Sequence, residues 1–180
     1  MSGNDERPAS RFALEPEELR AMTTAQVRAL SSDQLAALNS DQMAAMSTAQ
    51  FAALGTAQVA ALNSDDLNAL TTQQFAAMTT AQLASLTTDQ VSTLETADLA
   101  AMTTAQVRAL TTDAVVALNS DQFQALTTRQ VAALSTAQVA AIEADDFAAI
   151  ETNDLRALTS AQVRALSSVH RKLYGEAAPG

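Results

Sequence analysis

The chain has 180 residues, 48% of them hydrophobic but only 3% aromatic, and it carries a formal net charge of −10. Between Ala29 and Val107 it has no Lys or Arg, so this stretch offers no clustered cations to nucleic-acid phosphates or an anionic membrane surface. The absence of Cys excludes a disulfide framework, and no apolar run reaches the length of a membrane span.

The chain opens with a polar segment, residues 1–12, that lacks the apolar core of a secretory signal. We expect this segment to be a disordered lead-in to the folded domain. The localisation stays open between the cytoplasm and secretion without a classical signal peptide.

An apolar anchor (Leu, Met or Ile) recurs every eight residues from Leu14 to Leu166, which defines twenty octads. We number each octad from its anchor at position 1. A single long helix cannot use this period, because eight residues rotate it by about 800° and leave each anchor about 80° around from the last. Supercoiled helices follow periods of seven or eleven residues, not eight.

Each octad carries the signals that begin a helix. Position 2 is usually Thr, Ser or Asn, the residues preferred at a helix N-cap, and position 5 is usually Gln, which completes a capping box. Pro16 stands at position 3 of the first octad, where its missing N–H costs nothing. The pattern predicts one helix per octad, from position 3 to about the next anchor.

Helices this short are unstable alone and must bury an apolar face against neighbouring octads. The second apolar residue, at position 6, shares a face with the next anchor, and a small Ala at position 8 lets backbones approach closely. We therefore predict an all-α solenoid, a superhelix of very short helices, over residues 13–174. Octads 14–21 and 166–173 would be its caps, and residues 175–180 a flexible tail.

A second period, three octads long, overlies the first. Position 6 is Phe in four octads: Phe51, Phe75, Phe123 and Phe147. Position 4 is Asp in every third octad over part of the chain: Asp41, Asp65, Asp89 and Asp113. We interpret this as three octads per superhelical turn with the Phe side chains in the core; alternatively, three octads were only the unit of gene duplication. About six turns, at ~8–10 Å each, would form a rod about 50–60 Å long.

A triangular β-solenoid is the structural alternative, because its coils can have a similar length. A strand requires a period of two, but positions 1 and 6 have opposite parity. Ala and Gln favour helix, and four Gly are few for the turns of a β-solenoid. The helical solenoid is therefore the preferred interpretation.

The last octad departs from the pattern, with Arg171 at position 6 and Gly175 placed to stop the helix. We expect His170, the single His, to be a cap contact and Tyr174 to cover the last core layer. No Ser–His–Asp set can be built on one isolated His. One Asp per turn is too widely spaced to share a Ca²⁺ ion. We therefore predict no catalytic, cofactor-binding or metal-binding residue.

The hydroxyls at position 3 form the one candidate interaction site. Stacked turns would align them in a ladder, exemplified by Thr24, Thr48, Thr72 and Thr96. Such a ladder could face a protein, a glycan or ice. The alternative is that a small polar residue fits a crowded corner and helps to cap the helix.

Segments such as Thr103-Thr-Ala-Gln-Val-Arg-Ala-Leu110 resemble the Thr-Thr-Ala-Gln repeat tracts of some large bacterial proteins. The resemblance covers Leu14 to Leu166 and implies a bacterial origin but no particular activity. The segment Leu110-Thr-Thr-Asp-Ala-Val-Val-Ala-Leu118 is similar to the opening helix of TAL-effector repeats, over one helix only. Those repeats are much longer, and the acidic surface here argues against DNA.

The expected function is that of a non-enzymatic structural or protein-interaction module: a rigid rod, spacer or scaffold. A protein partner could bind its sides, or copies could self-associate through the solenoid ends. The alternative is a secreted bacterial effector or surface protein that binds a ligand through the Thr/Ser ladder. Nucleic-acid binding, membrane insertion and enzymatic activity are not expected.

Overall fold

The computed structural model describes residues 15–177; the predicted lead-in and residues 178–180 lie outside that part. Its regular secondary structure is helical throughout, with no strand among the described residues, so the all-α prediction is confirmed and the β-solenoid alternative is wrong. The helices are α1 (Pro16–Ala21), α2 (Thr24–Arg28), α3 (Ser32–Ala36), α4 (Ser40–Ala45), α5 (Thr48–Ala52), α6 (Thr56–Ala60), α7 (Ser64–Asn68), α8 (Thr72–Ala76), α9 (Thr80–Leu83), α10 (Thr88–Ser92), α11 (Thr96–Ala101), α12 (Thr104–Ala109), α13 (Thr112–Val116), α14 (Ser120–Ala125), α15 (Thr128–Ala133), α16 (Thr136–Ala141), α17 (Ala144–Ala149), α18 (Thr152–Arg156), α19 (Ser160–Ala165) and α20 (Ser168–Ala177).

Where the anchor residue is itself the C-cap of a helix, the corner to the next helix is made by two consecutive residues in extended backbone. At the first corner these are the anchor Met22 (φ −67°, ψ 142°) and the N-cap Thr23 (φ −72°, ψ 158°). No described residue has a positive φ, so a corner does not require Gly. This explains how a chain with four Gly can turn every eight residues.

The capping boxes predicted from positions 2 and 5 are present. In α2 the Gln26 N–H donates to the Thr23 hydroxyl (3.3 Å), and the Thr23 N–H donates to Gln26 Oε1 (2.8 Å). The same reciprocal pair begins helices α3–α5, α8–α10, α12, α14–α16 and α19. In α6 the N-cap is Gly55, so only the bond from its N–H to Gln58 Oε1 remains (2.6 Å).

Helices three octads apart stack on one another. Helix α1 packs on α4, α2 on α5, and the series continues without a gap to α17 on α20. One superhelical turn therefore contains three octads, and the geometric interpretation of the three-octad period is confirmed.

The core is a continuous column along the axis of the solenoid. The four Phe side chains at position 6 (Phe51, Phe75, Phe123 and Phe147) are at most 1% exposed. Every anchor from Leu38 to Leu166 is buried as well. Because each turn covers the apolar surface of the turn before it, stability depends on contacts between neighbouring turns.

The C-terminal helix is longer than the sequence predicts. Helix α20 does not stop at Gly175 but continues to Ala177, so the expected tail begins too early at residue 175. Gly175 does not adopt the positive φ of a helix stop. Gly inside a helix costs only about 1 kcal/mol relative to Ala, which does not by itself end the helix. Helix α20 contacts both α17 and α18.

We expect the substitution Phe75→Ala to lower the free energy of unfolding by about 3–5 kcal/mol, because it leaves a cavity in a fully buried layer. Urea unfolding followed by circular dichroism in the far ultraviolet measures the loss. Gln73→Ala changes an exposed side chain of the same helix and serves as the control. Equal unfolding curves for the two variants would contradict the burial of position 6.

Candidate functional site

The predicted hydroxyl ladder lies on the outside of the solenoid. Thr24, Thr48, Thr72 and Thr96 begin α2, α5, α8 and α11, which stack in one series, and all four residues are exposed. The Thr72 hydroxyl donates a hydrogen bond to Asp98 in the next turn. A position-3 hydroxyl therefore faces the following turn as well as the solvent.

Three further position-3 hydroxyls make the same contact. The partner is always an Asp at position 5 of the octad one turn later. The bonds are Ser40 to Asp66 (3.5 Å), Ser120 to Asp146 (2.7 Å) and Thr128 to Asp154. Part of the ladder thus has a structural use, as a donor to carboxylates between turns.

The glutamines at position 5 make the most regular contact between turns. Gln82 illustrates it: its Oε1 accepts from the Thr79 N–H of its own helix (2.8 Å). Its Nε2 donates to the carbonyls of Phe51 (2.9 Å) and Leu54 (3.0 Å), where α5 ends. One amide therefore caps the start of one helix and the end of a helix four octads earlier. We call this arrangement the glutamine bridge.

The glutamine bridge recurs along the solenoid. In every bridge Nε2 bonds to the anchor carbonyl 28 residues earlier, at 2.6–3.0 Å. The glutamines are Gln50, Gln58, Gln74, Gln82, Gln90, Gln106, Gln122, Gln130, Gln138 and Gln162, and all are buried. A buried amide with both its oxygen and its nitrogen satisfied is the arrangement that avoids a desolvation penalty.

The sequence pattern predicts only the capping half of this contact. A capping box accepts Glu as readily as Gln at this position. The octads nevertheless use Gln repeatedly and Glu only once, at Glu18 in the first octad. This preference for Gln over Glu is the sequence signal of the contact with the earlier turn, because Gln can donate hydrogen bonds and an ionised Glu cannot.

Aspartate replaces Gln at position 5 in four octads and changes the local chemistry. An ionised carboxylate cannot donate to the helix end beneath it. Asp66 and Asp98 are each only 3% exposed. Burial raises the pKa of both carboxyls, and the neighbouring charges of Asp65 and Glu95 add to the effect. Hydrogen bonds from Asn63 and Ser40 to Asp66, and from Thr72 to Asp98, act in the opposite direction.

The remaining residues singled out from the sequence do not form a reactive site. His170 is 5% exposed and stacks on Phe147, with ring centroids 4.9 Å apart. Tyr174 is partly buried against the end of the core. Within residues 15–177, no three His, Cys, Asp or Glu side chains come close enough to hold a metal ion.

The aspartate column at position 4 and a shallow groove complete the outer surface. Asp41, Asp65, Asp89 and Asp113 lie on the outside of the solenoid, and all four are exposed. The groove lies where Gly55 replaces the usual N-cap side chain, and Arg28, Thr79 and Gln82 contribute to its lining together with small residues. It contains one charged side chain and no pair of titratable groups.

This combination of short capped helices, three per turn, and a closed apolar column defines a helical solenoid repeat protein. The chain belongs to the ALTTAQ repeat family, whose model matches residues 12–48, 43–72, 59–96, 91–128 and 147–169. A search of curated proteins found no match. None of the helices in the described part of the chain is both long and apolar enough to cross a membrane.

We expect Gln82→Glu to lower the free energy of unfolding by about 2–4 kcal/mol, because two buried carbonyls lose their donor. Gln26→Glu is the matched control. Gln26 has the same capping box, but it is exposed, and no earlier turn in the described part of the chain lies beneath it. Chemical denaturation of both variants measures the difference, and equal losses would assign the whole effect to the capping box.

The raised pKa values of Asp66 and Asp98 predict that stability increases as the pH falls from neutral. The folded state binds these protons more tightly than the unfolded chain does. The gain is complete below the unfolded pKa, about 3.9, and is lost as the pH rises through the folded pKa.

Asp98→Gln should raise the melting temperature at neutral pH, because the new amide can bond to the carbonyls of Leu67 and Leu70. It should also reduce the increase in melting temperature between neutral and acidic pH. Asp89→Asn removes a negative charge from an exposed position and is the control. Thermal melts of both variants across this pH range check the prediction, which fails if they respond alike.

Proposed function

We propose that the protein is a non-enzymatic structural or protein-interaction module that acts as a rigid rod or scaffold. The observation that carries the proposal is the stacking of helices three octads apart along the whole described chain. Such a chain grows in one dimension, and its length is set by the number of repeats.

The glutamine bridges support the rigidity of this rod. Each bridge joins two helices that are four octads apart through short hydrogen bonds, as Gln130 does at the carbonyls of Leu99 and Met102 (2.7 Å each). A bend or slip between turns would break these bonds in a buried environment, where a lost bond is costly.

The outer surface supports a role in binding rather than catalysis. The apolar side chains at positions 1 and 6 face inwards, and the sides carry mainly small, hydroxyl and acidic residues. An extended protein partner is the ligand class that suits long, shallow sides without a deep cleft. A bacterial origin, a secreted effector role through the ladder and the likeness to TAL-effector helices stay predictions.

A deletion of one whole turn tests the rod directly. Removing residues 79–102 joins Met78 to Thr103, which keeps the octad pattern across the junction. We expect this variant to stay helical and to shorten by about 8–10 Å, the spacing of packed helices, in small-angle X-ray scattering.

Removing residues 79–90 is the matched control, because it deletes one and a half octads and puts an apolar position 6 beside an anchor. We expect this deletion to disrupt the stacking of all later turns. Equal tolerance of the two deletions, or a compact shape of the intact chain, would contradict the rod.

A further inference from the structure

The two edges of each turn have different contacts. Positions 3 and 7 face the following turn, as shown by Asn68 at position 7, whose Nδ2 donates to the Thr93 carbonyl (2.8 Å). Positions 5 and 8 face the preceding turn, as shown by the glutamine bridges and by the bond from the Ser85 hydroxyl to the Thr56 carbonyl (3.2 Å). The solenoid therefore has a direction, and its two end faces are chemically different.

The C-terminal end face presents three cations. Position 7 in the last three octads holds Arg156, Arg164 and Lys172, one on each side of the solenoid, and all three are exposed. Elsewhere in the described chain this position is cationic only at Arg20, Arg28 and Arg108. The last three octads together contain four basic and two acidic residues.

The N-terminal end face has the opposite character. Position 5 holds Glu18, Gln26 and Gln34 in the first three octads, and these side chains are exposed, whereas nearly all later position-5 residues are buried. The anchors Met22 and Leu30 are only partly covered. The first three octads contain four acidic and two basic residues, which reverses the balance at the other end.

The chain itself shows how a cation at position 7 contacts the next turn. Arg20 donates from Nε to the backbone carbonyl of Ala45, one turn later, at 3.2 Å. Arg156, Arg164 and Lys172 occupy the same position in the last turn. Beyond this turn the described chain supplies only the last residues of α20, a helix that also contacts α18, and no full following turn.

We propose that a second copy of this chain stacks on the C-terminal end face through its own N-terminal end face. The cations of one copy meet the acidic first turn of the next. The exposed Nε2 groups of Gln26 and Gln34 meet helix-end carbonyls, as the glutamine bridges do within the chain. The partly covered anchors Met22 and Leu30 become buried.

This contact joins two different faces, so each added copy leaves the same two faces open and a linear assembly forms. This inference rests on the proposed scaffold role and names one partner for it, a second copy of the chain. A monomeric rod in scattering experiments would overturn this inference and leave the scaffold role intact.

Sedimentation of the intact chain tests the contact. We expect the weight-average mass to rise between about 10 µM and about 1 mM, the range of a weak contact. It should return to that of the monomer in about 1 M NaCl, where the Debye length is about 3 Å. A monomer throughout this concentration range at low salt overturns the inference.

Charge variants identify the faces. Arg156→Glu with Arg164→Glu should abolish the increase in mass. Arg108→Glu with Arg129→Glu makes the same change in net charge at exposed positions in the middle of the rod and should leave the increase intact. Equal behaviour of the two double variants, with helicity retained in both, overturns the proposal.

A complementary variant provides the rescue. Glu17→Arg with Asp33→Arg reverses two exposed acids of the first turn that make no capping contact. Both are at position 4, on the outer side of the solenoid, each next in sequence to the position-5 residue of the N-terminal end face. This variant alone should be monomeric, and its mixture with Arg156→Glu/Arg164→Glu should associate again. No association in the mixture contradicts head-to-tail stacking.

A deletion of residues 2–12 tests the alternative that the chain's own leading segment, and not a second copy, occupies the N-terminal end face. Association that appears only after this deletion also overturns the proposal for the intact chain.

Discussion

A helix of little more than one turn cannot satisfy its own backbone. The first four N–H groups and the last four carbonyls of any α-helix have no partner within it, so helices this short leave almost all of their polar groups open. The glutamine bridge supplies hydrogen-bond partners at both kinds of helix end. One buried amide accepts from the N-cap N–H of its own helix and donates to carbonyls at the end of another helix. Without such contacts a solenoid of very short helices would leave unpaired carbonyls beside its core, at about 1–3 kcal/mol each.

The same constraint explains the layout of the outer surface. The side chain of a bridge must reach a helix end that lies one turn and one octad earlier in the chain. The presence of Gln at position 5 and the geometry of three octads per turn therefore depend on each other. Where Asp replaces Gln, as at Asp98, the donor to the helix end is lost and a hydroxyl of the previous turn, Thr72, binds the carboxylate instead. The position-3 hydroxyls that bind Asp side chains and the glutamine bridges are therefore two forms of contact between turns. The solenoid is held together by periodic polar bonds as well as by its apolar column.

Much of the fold could be predicted from residues that act locally. Thr23 and Gln26 lie three apart and cap their helix with no help from elsewhere, so the helix start is readable from the sequence. The recurrence of Phe at multiples of three octads also indicated the turn, because packing selects side-chain size at stacked positions. The end of α20 could not be read in this way. Gly175 is compatible with both a stop and a continuation, and its actual φ is set by the structure around it.

The contacts of the candidate site could likewise be predicted only in part from the sequence. The sequence alone determined where helices begin, which residues face the core, that the stretch from Ala29 to Val107 has no Lys or Arg, and that the chain has no Cys, since these depend on residue type and near neighbours. The tertiary structure decided which carbonyls Gln82 reaches, which hydroxyls bind Asp66 and Asp98, and which exposed charges lie at the two ends of the described solenoid. Those contacts join residues of different turns, and their geometry exists only after the superhelix closes one turn upon the next.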